Sequence, residues 1–161
     1  MPQPKLSGLL PSPGIPAPQL RYVKQDRSDA KLADLKGEVI VLLMFPSLDT
    51  STCALETRKF NKLAVGLGAR VLAVTMDLPF AMKRFCLAEG IDNVETGSDF
   101  RYRDAGDLWG ARLVEGNLNG TLARVTWVID KEGTVRYMEL APELAAEPNY
   151  DAALEAARAL L

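Results

Sequence analysis

The residue best placed for chemistry is Cys53, at the end of the stretch Phe45-Pro46-Ser47-Leu48-Asp49-Thr50-Ser51-Thr52-Cys53. Val39 to Phe45 is unbroken apolar sequence and reads as a buried strand, which Pro46 ends. Asp49-Thr50-Ser51-Thr52 then offers helix-starting residues, Asp49 being read as a cap rather than a catalytic group, and Phe60, Leu63, Ala64 and Leu67 recur at helical spacing. Cys53 is therefore expected in or beside the first turn of a helix over 51–67. Unpartnered backbone N–H groups and the positive end of the helix dipole favour an anion there, hence the thiolate over the thiol. The thiolate is the nucleophile. On spacing alone, though, the same cysteine could equally be a small buried hydrophobe.

The chain has no histidine. That excludes Ser-His-Asp and Cys-His catalysis, histidine-ligated haem and most catalytic zinc sites, and two cysteines cannot close a structural zinc site. Arginine and helix N–H groups remain as the means of activating a thiol. At 161 residues, with 48% hydrophobic and 25% charged residues, one globular domain is expected. A net charge of −2 without a long basic run argues against nucleic acid or an anionic membrane as partner. Prolines at 2, 4, 11, 13, 16 and 18 interrupt the first residues, so no signal-peptide core is expected there. A cytoplasmic location follows as the expectation, with two cysteines more plausibly redox-active than joined in a static disulfide.

The elements that must position Cys53 are expected as follows. Residues 1–18 form an extended Pro-rich N-terminal segment, and 19–161 the folded domain. Leu20 to Val23 alternates as a short strand, Asp34 to Gly37 is a turn, and the first central strand spans 38–45. Helix 51–67 leads to a second buried strand from Arg70 to Met76, with Gly66 and Gly68 in the connection. Pro79 opens a helix over 79–89 that Gly90 closes. A short strand near Val94, a helical turn at 105–109 and a loop at 115–120 follow. Arg124 to Ile129 and Val135 to Leu140 form a hairpin across Asp130-Lys131-Glu132-Gly133, and Tyr150 to Leu161 is a closing helix. Trp109 and Trp127 are read as packing residues. Two strand–helix–strand units, a hairpin and a last helix predict an α/β fold, a mixed sheet with helices on both faces in the thioredoxin-like order.

Pro46, Thr50 and Cys53 match the Pro-x-x-x-Thr-x-x-Cys signature of the peroxiredoxins, and FPSLDTSTCALETRKFN resembles the thiol peroxidase branch of that family. Arg84-Phe85-Cys86-Leu87-Ala88-Glu89-Gly90 is similar to the family segment carrying the resolving cysteine. Leu122-Ala123-Arg124-Val125 is similar to the place where the family has an arginine entering a strand. The resemblance extends from about Pro11 to the C-terminus. One departure concerns the opening β-hairpin of the thiol peroxidases, whose first strand this chain starts too late to supply.

The resemblance implies a thioredoxin-like fold, no bound cofactor or metal, a homodimer, and a preference for organic hydroperoxides over hydrogen peroxide. It implies that Cys53 is the peroxidatic nucleophile and Cys86 the resolving thiol of an intrasubunit disulfide, reduced by thioredoxin. Thr50 would hydrogen-bond the peroxide, Arg124 would hold the thiolate and polarise the substrate, and Pro46 would shield the sulfur from water. Two other functions share the same thiol. A thiol–disulfide oxidoreductase is disfavoured because Thr50 and Glu56 stand where a Cys-x-x-Cys pair would put its second cysteine. A peroxide sensor that passes its disulfide to a partner protein needs the same reactive thiolate, and residue pattern does not separate it from a scavenger. Ser98-Asp99-Phe100-Arg101 resembles a family segment near the dimer contact.

Overall fold

A computed structural model describes residues 2–161. Seven strands form one mixed sheet: β1 (Arg21–Val23), β2 (Asp29–Lys31), β3 (Ile40–Met44), β4 (Arg70–Thr75), β5 (Glu95–Ser98), β6 (Val125–Ile129) and β7 (Val135–Leu140). Their spatial order is β2-β1-β5-β4-β3-β6-β7. The central strands β3, β4 and β5 are parallel, whereas β6 runs antiparallel to β3, and β7 to β6. The helices are α1 (Ser51–Leu63), α2 (Pro79–Glu89), the single turn α3 (Asp104–Asp107) and α4 (Tyr150–Arg158), with a 3-10 turn at Leu32–Leu35.

β3 explains why the molecule has two cores. Its apolar run carries no visible alternation because both faces are covered, as in a central parallel strand. Ile40, Leu42 and Met44 enter one core with Leu72, Val74, Trp109 and Trp127. Val41, Leu43 and Phe45 enter the other with Cys53, Phe60, Met82 and Ala153. That second face is roofed by α1, α2 and α4. The first carries only the short turns and irregular chain, including the N-terminal segment. Helix lies on both faces, but unequally.

On the first face the indoles of Trp109 and Trp127 meet edge to face, with centroids 4.9 Å apart. Their Nε1 groups donate to the carbonyls of Gln19 and Pro11, at 3.1 and 3.0 Å. Both are packing residues with satisfied polar tips. The Pro-rich segment is thus stitched to the domain. Ser7 N–H donates to the Arg112 carbonyl at 2.8 Å, and Gly14 N–H to that of Val135 at 2.7 Å.

Element boundaries differ from the expectations in instructive places. Helix α1 ends at Leu63 rather than 67, because Gly66 and Gly68 take left-handed φ values of 71° and 82°. Helix α2 begins at Pro79 and stops at Gly90, whose φ of 66° closes it. The pairing of β1 with β2 and the full length of β5 go beyond the single short strands expected there.

Candidate active site

The loop from Phe45 to Thr50 delivers Cys53 to its position. Pro46 is buried two residues beyond the end of β3. Asp77, just beyond β4, fastens the loop: its carboxylate accepts from Ser47 Oγ at 2.7 Å, Leu48 N–H at 2.8 Å and Thr75 Oγ1 at 2.8 Å. Asp77 precedes α2, so one carboxylate ties the start of the helix bearing Cys53 to the start of the helix bearing Cys86.

Thr50, not Asp49, caps α1. Its Oγ1 accepts from the Cys53 N–H at 3.3 Å and donates to the Ser47 carbonyl at 3.3 Å. Asp49 points outward instead and pairs with Arg84 at 3.3 Å. The reason is register: Cys53 is the third residue of the helix, within reach of an N-cap at 50. The cap therefore fixes the backbone of the cysteine itself.

The Cys53 side chain is wholly buried, and Arg124 Nη2 donates to its Sγ at 3.2 Å. Arg124 lies just before β6 and spends its other donors on two further anchors. Nη1 donates to Glu56 Oε1 at 2.8 Å, and Nε to the Leu144 carbonyl at 2.8 Å. A guanidinium held at three points has no rotational freedom left, so the cation is aimed at the sulfur. Such a contact stabilises negative charge on sulfur, the form in which it attacks electrophiles.

Glu56 was not among the candidate residues, yet it completes this cluster. It lies one turn after Cys53 on the buried face Cys53, Glu56, Thr57, Phe60. A carboxylate at that place in an otherwise buried stripe is the signal that could have found it. Burial pushes its pKa up to about 7 against the opposing attraction of Arg124, and its Oε2 has no hydrogen-bond partner. Burial works against the charge on Arg124, but its interactions with Cys53 and Glu56 more than offset that and hold its pKa above the ordinary arginine value.

Cys86 stands apart from this cluster, towards the C-terminal end of α2. It is a free thiol, as is Cys53, and both border the same hydrophobic core. Burial pushes the Cys86 thiol up, with a hydrogen bond to Gln25 working the other way. Met82 and Phe85 are buried beside it, while Phe80 is exposed beneath the Arg27 guanidinium.

The chain as a whole has counterparts among known proteins. The Redoxin family profile matches residues 12–154. The chain belongs to the Redoxin family. Within it, the sequence is 48% identical over 160 residues to a thiol peroxidase of Leptospira interrogans, covering 98% of this chain and 94% of that protein. A thiol peroxidase of Aquifex aeolicus is 45% identical, over 92% of this chain and 88% of its own length. Among solved structures, a peroxiredoxin-like protein from Aquifex aeolicus superposes with a TM-score of 0.92 at 44% identity, over 97% of this chain and 91% of that one. These relatives place the chain in the thiol peroxidase branch of the peroxiredoxins. No helix among the described residues is long and apolar enough to cross a membrane.

Proposed function

We propose that this chain is a thiol peroxidase that reduces hydroperoxides through Cys53. The observation that carries the reading is the 3.2 Å contact between the anchored Arg124 and the Cys53 sulfur at the N-terminus of α1. The thiolate attacks one peroxide oxygen in line with the O–O bond. The S–O bond forms as the O–O bond breaks, leaving Cys53 sulfenic acid and an alkoxide or hydroxide that takes up a proton to become alcohol or water. Arg124 stabilises the charge that moves from sulfur to the leaving oxygen. Thr50 has one hydroxyl hydrogen, which it turns from the Ser47 carbonyl to the bound peroxide. Pro46 supplies a wall with no N–H to draw water.

The sulfenic acid then condenses with the Cys86 thiol, forming an S–S bond and releasing water. A disulfide needs the two Cα atoms within roughly 7 Å. The cysteines sit in two separate helices, so α1 or α2 unwinds locally at this step. Unwinding also exposes the Cys86 thiol and removes the burial that holds its proton. An external dithiol, thioredoxin, reduces the disulfide by exchange. A cytoplasmic location and a homodimer belong to the same reading, as does a preference for organic hydroperoxides.

The test is NADPH oxidation driven by cumene hydroperoxide through thioredoxin reductase and thioredoxin. Turnover by the wild type that disappears in Cys53→Ser supports the peroxidase and its nucleophile together. Oxidation of Cys53 by peroxide without recycling would instead favour a sensor or another reductant. An inert Cys53 would overturn the reading.

A further inference from the structure

The Pro-rich segment does more than cover the sheet. Gln3 reaches the start of β6 and there uses both ends of its side-chain amide. Its Nε2 donates to the carbonyls of Arg124 and Ala141, at 2.9 and 2.7 Å, and its Oε1 accepts from the Arg124 N–H at 3.0 Å. The β6–β7 ladder ends here, with the Ala141 N–H donating to the Arg124 carbonyl at 3.1 Å. One amide thus stands in for the strand that would continue the sheet beside Arg124, whose backbone is buried and must find partners.

The same three bonds bear on the side chain. Ala141 starts the loop whose Leu144 carbonyl anchors Arg124 Nε, and whose Ala145 carbonyl accepts from Thr52 Oγ1 at 3.4 Å on α1. Gln3 therefore grips both the backbone of the arginine and the base of the loop that aims it. The segment is delivered independently of this grip. Val114 N–H donates to the Lys5 carbonyl at 2.9 Å, and Lys5 N–H to Glu115 Oε1 at 2.8 Å.

We propose that Gln3 is a positioning residue for the peroxidase reaction, holding the Arg124 guanidinium on the Cys53 sulfur through the backbone of residue 124 and the 141–145 loop. The proposal rests on the peroxidase reading above. Small displacements matter at such a contact, because misplacing a catalytic group by about 1 Å costs on the order of a hundredfold in rate.

The experiment compares wild type, Gln3→Met, Gln3→Ala and Ser7→Ala. Methionine keeps the length and apolar stem of the glutamine but makes none of its hydrogen bonds. Ser7 belongs to the same segment and donates to the Gly106 carbonyl at 2.9 Å, away from Arg124. The readouts are the single-turnover rate constant for Cys53 oxidation by cumene hydroperoxide and the pH profile of Cys53 alkylation in a Cys86→Ser background. Both Gln3 variants should lose about tenfold or more in rate constant, and their alkylation profiles should move to higher pH as the cation loosens. Ser7→Ala should match wild type in both. Gln3 variants that melt earlier yet keep the wild-type rate constant and profile would overturn the proposal and leave Gln3 a structural cap. A wild type that peroxide does not oxidise would overturn the peroxidase reading first, before any variant is compared.

Discussion

Replacing Glu56 by glutamine tests the electrostatics of the buried cluster. The carboxyl is wholly buried, with Arg124 attracting its charge and the carboxylates of Glu139 and Glu147 adding repulsion. Its pKa stands at about 7 in the folded chain, against 4.5 for an ordinary glutamate. Below pH 4.5 both states hold the proton. Between these values the folded chain keeps it while the unfolded chain has released it. The carboxyl's contribution to stability is therefore complete at low pH and is lost as pH rises through 7. At about 1.36 kcal/mol per unit the loss comes to about 3 kcal/mol. The amide of the Glu56→Gln variant does not titrate, and any change in its bond to Arg124 shifts stability by a constant. Urea denaturation of both proteins from about pH 4 to 8 should show the stability of Glu56→Gln, relative to wild type, rising by about 3 kcal/mol across the range. A flat difference would refute the reasoning: it would mean that the attraction of Arg124 defeats burial and that Glu56 is ionised throughout.

Gly97→Ala should destabilise the fold by about 1–3 kcal/mol, because its Cβ would come within 2.6 Å of Tyr22 Cδ2, and thermal melting would show it. Gly110→Ala should lift the N-terminal segment, since a Cβ there meets the backbone of Gly8 and Leu9 at 2.6 and 2.7 Å at a φ of 70°. Trypsin should then cut at Lys5 faster than in wild type, and unchanged protection would count against that contact. Cys86→Ser should still consume one peroxide per chain but show no thioredoxin-dependent turnover, with Cys53 sulfenic acid trapped by dimedone. Sustained turnover at the wild-type rate would remove Cys86 from the cycle.

Features with strong local causes were readable in the sequence. Helix α2 has the expected bounds because Pro79 and Gly90 each act on the backbone at their own position. Strand β3 was visible because burial on both faces makes its apolar run continuous. The cap falls one residue later than expected because Asp49 and Thr50 are both good capping types, and only helix register distinguishes them. Strand β2, with the sequence Asp-Ala-Lys, has no strand-forming residue and exists through its pairing with β1. The resemblance to peroxiredoxins brought Thr50, Cys53 and Arg124 together before any geometry was known, and the hydrogen bonds join those three. It did not reach Glu56 or Gln3. Glu56 had a faint signal in its helical spacing from Cys53. Gln3 had none, since its partners lie at 124 and 141 and nothing in a run of prolines announces a hydrogen bond so distant in sequence.

The division of β3 between two cores also divides the molecule by time. Both thiols border one core, under α1 and α2, so any opening that brings them together can be confined to that layer. The tryptophan pair and the stitched N-terminal segment belong to the other. Amides of α1 and α2 should then exchange with solvent through partial openings far cheaper than global unfolding, while those of β3 and β6 wait for the whole domain to open. A chain built this way can open part of its helical layer and keep its sheet as memory of the fold.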